Sequence, residues 1–167
     1  MNTAKLKEYI QQNQLPIEIV NEQLIYNSTS LNDVVLKNGS PLRVVIPNNL
    51  AMEIQHLNSK FESAIIENGY ANSFQYAYCT KCNHRKELIQ AALEENAWLE
   101  ISSAGDIELI KELFVNKQIK NSTGIICNGI KNDDYRNAIK EINQLGFTST
   151  ICVCDSLDEM EWFIKHA

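Results

Sequence analysis

From residue 42 onward the chain alternates between short runs of β-branched, aromatic and apolar residues and longer segments with apolar residues at helical spacing. No other property of the sequence narrows the possible architectures as far. The runs are "LRVVIP" (42–47), "SFQYAYCTK" (73–81), "AWLEIS" (97–102), "GIICNG" (124–129) and "STICVCDS" (149–156), each read as a strand. Between the first two, "NNLAMEIQHLNSKFESAIIENG" places Leu50, Ile54, Leu57, Phe61 and Ile65 on one helical face and stops at Gly69. The next helix carries Leu88, Ile89, Ala92 and Leu93. Ser103, with Asp106 three residues on, opens a helix whose stripe is Ile107, Ile110, Leu113 and Phe114. A further helix buries Tyr135, Ala138, Ile139, Ile142 and Leu145, and Ser156 with Glu159 opens a last one running to the final residue.

Five consecutive β-α units with short loops predict an α/β fold, a parallel sheet with helical crossovers. Two architectures fit: an open five-stranded sheet, or the first five units of a (β/α)8 barrel. Strands covered on both faces explain why "GIICNG" and "TICVC" are apolar without alternation. Ahead of the units lie a helix at about 4–13 and "PIEIVNEQLIYNSTSL", one or two strands broken at Asn21-Glu22. The turn "KNGSP" (37–41) follows. The expected division is an N-terminal helix and strand segment, 1–41, and the β-α region, 42–167.

Composition excludes several classes of function. A hydrophobic share of 44% is enough for a packed core. The 21 acidic residues outnumber the 15 basic ones and no Lys or Arg run could track phosphates, so nucleic acid is not an expected partner. No apolar segment approaches the roughly 20 residues that span a bilayer, so no membrane partner is expected. The start, "MNTAKLKEYIQQNQ", is polar and has no signal h-region. Five cysteines, an odd count sitting mostly in apolar runs, suit a reduced, cytoplasmic protein.

The stretch "YAYCTKCNHR" (76–85) contains the CxxC Cys79-Thr80-Lys81-Cys82. Haem attachment needs His directly after the second Cys, and Asn83 stands there, one place before His84. A zinc knuckle needs a second ligand pair, and no other Cys or His pair has knuckle spacing, so no metal is expected. A redox dithiol sits at a helix start. Here Cys79 falls within a predicted strand, where residues three apart point to opposite faces, so Cys79 and Cys82 are expected to diverge unless the strand ends between them.

The same alternation puts Gln75, Ala77, Cys79, Lys81 and Asn83 on one face, small and polar as if lining a space. Lys81 is then either snorkelling at a rim or a reactive amine. Ligands of parallel α/β proteins bind at the carboxyl ends of the strands. Those ends present Lys81 and Asn83; Glu100, Ser102 and Ser103; Asn128, Gly129 and Lys131; and Asp155. Ordinary polar loops and caps account for Ser103, Asp106 and Ser156, and less well for Lys81 and Glu100.

"YCTKCN" (78–83) resembles the cofactor-lysine motif of the fold-type III pyridoxal-phosphate decarboxylases, the ornithine/diaminopimelate/arginine decarboxylase family. "LEISSAGDIELI" (99–110), "IICNGIKNDDY" (125–135) and "NGSPLRVV" (38–45) resemble further blocks of that family in register and in order. Together they look most like its biosynthetic arginine decarboxylase branch. The resemblance implies the N-terminal part of a barrel enzyme, with the strand around 17–26 belonging to a β-rich second domain. It further implies pyridoxal phosphate as cofactor, Lys81 as its Schiff-base lysine, Asn83 in the same strand-end motif, and Glu100 at the cofactor's edge. The implied activity is decarboxylation of a basic amino acid, arginine foremost, in polyamine biosynthesis, by a homo-oligomer. The family's ring-stacking histidine, glycine-rich phosphate loop and acidic partner of the ring nitrogen have no counterpart here. The resemblance therefore implies little or no activity for this chain alone. The rivals are a non-enzymatic α/β binding module and a dithiol redox protein.

Overall fold

A computed structural model describes residues 3–12 and 15–166. Asn13 and Ala167, the predicted ends of the first and last helices, lie outside these residues. The chain divides into two units, one ending at Val45 and one beginning at Ile46.

The first unit opens with helix α1 (Thr3–Gln12). Strands β1 (Glu18–Val20), β2 (Gln23–Tyr26) and β3 (Thr29–Ser30) follow as an antiparallel sheet in that order. Each connection is a two-residue turn with both residues at positive φ: Asn21 and Glu22 at 48° and 64°, Asn27 and Ser28 at 43° and 65°. That geometry matches the twist of paired strands. The predicted break at Asn21-Glu22 is the first of these turns. Helix α2 (Leu31–Asn38) was not predicted. Its signal is Ser30, whose hydroxyl accepts the Asp33 amide at 3.2 Å, but Thr29-Ser30 also continues a strand pattern and the β-branched Val34-Val35 pair hid the helix.

The second unit begins with α3 (Pro47–Glu67), Pro47 occupying the first turn where its missing N–H costs nothing. Then come β4 (Ala77–Cys79), α4 (Lys86–Glu94), β5 (Trp98–Ile101), α5 (Ala104–Val115), β6 (Ile125–Cys127), α6 (Asp133–Gln144), β7 (Thr150–Cys152) and α7 (Leu157–His166). The four strands are parallel and ordered β4-β5-β6-β7, with Cys79 beside Glu100, Ile101 beside Cys127, and Cys127 beside Cys152. Right-handed crossovers that always step in one direction put successive helices on one face of the sheet. Tyr78, Leu99, Ile101, Ile125 and Cys127 accordingly pack with Ile89 and Ala92 of α4, Ile107 and Ile110 of α5, and Tyr135, Ile139 and Ile142 of α6. No helix of the described residues is long and apolar enough to cross a membrane.

Three expectations are corrected. Residues 42–46 form no strand, so the sheet has four strands rather than five. Their β propensity lacks a neighbouring strand to pair with, and propensity alone does not make a ladder. The sheet is covered on one face, not two: Ala77, Cys79, Trp98, Glu100, Ile126 and Ile151 point away from the helix-packed side and none is fully buried. The stripe expected on α3 is only partly covered, with Ile54 fully buried, Leu50, Leu57 and Ile65 half-buried and Phe61 exposed.

Candidate functional site

A further expectation to change concerns Lys81. Strand β4 stops at Cys79, and Thr80–Cys82 form a single 3-10 turn closed by the Asn83 amide on the Thr80 carbonyl at 3.1 Å. Lys81 therefore sits past the C-terminal end of the strand, and strand alternation no longer assigns its direction. It is exposed, with no carboxylate partner or hydrogen bond to its ammonium among the described residues.

Strand β4 ends between Cys79 and Cys82, the case in which alternation does not hold the two thiols to opposite faces, and the Cys82 thiol lies near Cys79. Both cysteines are free thiols. Burial pushes the Cys79 thiol up, and Cys82 and the nearby Glu100 carboxylate push the same way, which opposes thiolate chemistry there.

Glu100 is half-buried at the centre of the rim. Its Oε1 accepts from Asn128 Nδ2 at 3.0 Å and from the Cys79 thiol at 3.7 Å, linking the ends of β4, β5 and β6. Asn83 is half-buried and faces inward along its own turn: its carbonyl accepts the Tyr78 hydroxyl at 2.9 Å and its Oδ1 accepts the Arg85 amide at 3.1 Å. The structure thus joins Glu100 to Asn128, while Lys81 and Asn83 make no hydrogen bond or ion pair with Glu100 among the described residues.

Lys131, grouped above with the polar rim, is buried instead. Its ammonium donates to the carbonyls of Gly129 at 2.7 Å and Val153 at 2.5 Å and lies 3.6 Å from Glu159 Oε2. Glu159 also accepts the amides of Lys131 at 2.7 Å and Asp155 at 3.1 Å. Burial opposes its ionisation, but these amides and the lysine outweigh it and hold the carboxyl below its ordinary value. This lysine is a staple between β6 and β7 and is fully committed.

Asp106 is the residue whose reach the sequence concealed. As expected of a cap partner, its amide donates to Ser103 Oγ at 3.2 Å. Its carboxylate goes further, accepting from the Ser102 amide at 3.0 Å, Ser103 Oγ at 2.8 Å, Thr80 Oγ1 at 3.0 Å and His84 Nε2 at 3.0 Å. Burial opposes its charge, but those four donors prevail and keep it ionised below the usual range. An ionised carboxylate only accepts, so His84 Nε2 carries the proton. The capping box was legible; the reach back to Thr80 and His84, more than 20 residues earlier, was not.

Comparison with known proteins gives the chain relatives. No family model matches the chain. It is 30% identical over 136 residues to biosynthetic arginine decarboxylase 2 of Synechocystis sp., covering 77% of this chain and 20% of that one. It is 29% identical over 132 residues to the biosynthetic arginine decarboxylase of Vibrio cholerae, covering 76% and 20%, and 26% identical over 125 residues to arginine decarboxylase 1 of Oryza sativa, covering 72% and 18%. Its fold is that of part of the biosynthetic arginine decarboxylase SpeA from Campylobacter jejuni, with a TM-score of 0.73 at 21% identity over 92% of this chain and 27% of that one. The chain is therefore a sequence relative of the biosynthetic arginine decarboxylases, and it spans about one fifth of the length of the curated relatives it matches.

Proposed function

We propose that this chain presents the cofactor lysine of a pyridoxal-phosphate-dependent basic amino-acid decarboxylase, with arginine as the substrate. Lys81 holds the cofactor through its amine, and Asn83 and Glu100 stand beside it. The observation that carries this reading is the placement of Lys81: an exposed amine without a carboxylate partner, one turn beyond the C-terminal end of a parallel strand, in a relative of arginine decarboxylases.

The side chains present suit the group in part. An amine that must bond to a carbonyl carbon has to shed its proton, and one with no ion pair has no counter-charge to give up in doing so. Glu100, steadied by Asn128, offers a fixed carboxylate for the cofactor's edge. The described rim offers no glycine-rich loop for a phosphate, so this reading expects little or no decarboxylation by the chain alone. When bound, the cofactor supplies a ring that takes up the electrons left as the substrate's α-carboxylate departs as CO2.

In this reading the four-stranded sheet is an arc of a (β/α)8 barrel, supported by its sequential strand order and one-sided helices. The unit ending at Val45 belongs to the β-rich second domain. Cytoplasmic polyamine biosynthesis by a homo-oligomer goes with the same assignment.

The test is to add pyridoxal phosphate, reduce with borohydride and map the adduct by peptide mass spectrometry. The adduct is expected on Lys81 well above any other lysine, and to vanish in Lys81→Ala. Even labelling across surface lysines would instead favour an α/β binding module. The approach of Cys82 to Cys79 gives the dithiol reading its one support, and a thiol titration that found either cysteine with a low pKa would bring it forward.

A further inference from the structure

The carboxylate of Asp106 serves two segments at once. Two of its donors, the Ser102 amide and the Ser103 hydroxyl, belong to the start of its own helix. The other two, Thr80 and His84, bracket the three residues that include Lys81 and Asn83. Capping α5 needs only the first pair. The second pair spends a carboxylate 2% exposed on a loop that is not its own.

Apart from Asp106, that loop is held by the Tyr78 hydroxyl on the Asn83 carbonyl at 2.9 Å and by the Arg85 amide on Asn83 Oδ1 at 3.1 Å. A one-turn 3-10 segment with a single closing bond is a weak element, and an exposed lysine adds no packing. Thr80, fully buried, shares its hydroxyl between Asp106 Oδ1 at 3.0 Å and the Glu100 carbonyl at 3.1 Å. Bonds to a charged acceptor are the strong class of hydrogen bond, and here they fix both ends of the segment to one rigid point.

We infer that Asp106 is the positioning residue for Lys81: its buried carboxylate clamps Thr80 and His84 and so fixes the backbone of the lysine turn over the C-terminal rim. The clamp gains its purpose from the cofactor-lysine reading and rests on it, but it is measurable without any cofactor.

The decisive variants are Thr80→Val, which deletes the turn's contacts to Asp106 and to the Glu100 carbonyl and leaves the Ser102 and Ser103 bonds intact, and Thr80→Ser, which restores the hydroxyl. Asp106→Asn is the companion, and if it does not fold the Thr80 pair still decides. Amide exchange of Asn83, whose N–H closes the turn, is expected to rise about tenfold in Thr80→Val and Asp106→Asn and to return in Thr80→Ser. Exchange at Leu99 and Ile125 in the core strands is expected to stay level, separating a loosened turn from a destabilised unit. The share of borohydride-trapped pyridoxal phosphate on Lys81 is expected to fall about tenfold in step, and to return in Thr80→Ser. Unchanged Asn83 exchange in Thr80→Val, or a rise shared equally with the core strands, would overturn the clamp. If the parent chain shows no preference for Lys81, the cofactor reading fails, and Asn83 exchange alone still decides the clamp.

Discussion

Gly124, just ahead of β6, has no room for a side chain. A Cβ there would lie 2.0–2.4 Å from the Trp98 ring, which crosses over it from the neighbouring strand. Gly124→Ala is expected to push the indole aside, cost about 1–3 kcal/mol and change the near-ultraviolet circular dichroism. A variant with the parent's urea midpoint would show that the ring moves freely. The two loop lysines make a sharper contrast. Glu159→Gln leaves the Lys131 ammonium buried without its counter-charge and is expected to cost about 3–5 kcal/mol by denaturant unfolding. Lys131→Met is expected to cost less, because the carboxylate keeps the Lys131 and Asp155 amides. Both lysines follow strands among polar neighbours, and nothing local in the sequence separates them. What separates them is an acid 28 residues further on for one and the lack of such a partner for the other. The expectation for Lys81 rested on neighbours that resemble a family; the burial of Lys131 depends on a tertiary partner and was not legible.

At the level of elements, one arrangement recurs along the sheet. In α5, α6 and α7 the residue three after the capping position reaches the strand end of the preceding unit. Asp106 of α5 holds the turn after β4, the Tyr135 hydroxyl of α6 donates to the Ile101 carbonyl of β5 at 3.1 Å, and Glu159 of α7 holds Lys131 after β6. Burial pushes the Tyr135 phenol up, with Cys127 adding to it, so it stays a neutral donor. The two acids titrate below their ordinary values of 3.8 and 4.5. A carboxyl depressed on folding contributes stability above its unfolded value and loses it as pH falls through the folded one. Stability of the second unit is therefore expected to decline below about pH 4.5, and Glu159→Gln to flatten that decline. Equal slopes for parent and variant, measured by urea melts from pH 6 down to about pH 3, would refute it. The pairs Ser103/Asp106 and Ser156/Glu159 were readable as caps, since capping is local. Their second task, like the failure of 42–46 to become a strand, depends on neighbours that periodicity does not encode.

For the whole molecule, the outer edges of β4 and β7 have no strand partner among the described residues. The helix that follows β7, α7, carries Leu157, Met160 and Ile164 at helical spacing, with Leu157 72% and Ile164 70% exposed. Unpaired strand edges and an open apolar stripe each invite pairing with another chain. The chain in solution is expected to self-associate, and a Leu157→Glu, Ile164→Glu double variant to shift it toward monomer by sedimentation velocity. A parent that stays monomeric at high concentration would count against this. The order of elements and the parallel sheet were legible from alternation alone. How many strands the sheet holds, and which faces are covered, were not, because both depend on what lies alongside.

The latches also bear on how such a chain can be recombined with its relatives. A crossover placed at the start of β5 would take Thr80 from one parent and Asp106 from the other, and one at the start of β7 would do the same to Lys131 and Glu159. The heritable block is thus offset from the visible β-α unit: it runs from one strand through the first turn of the helix after the next strand. Chimeras joined just beyond Asp106 or Glu159 keep each pair within one parent, and they should fold where chimeras joined at the strand starts leave a buried charge facing a stranger.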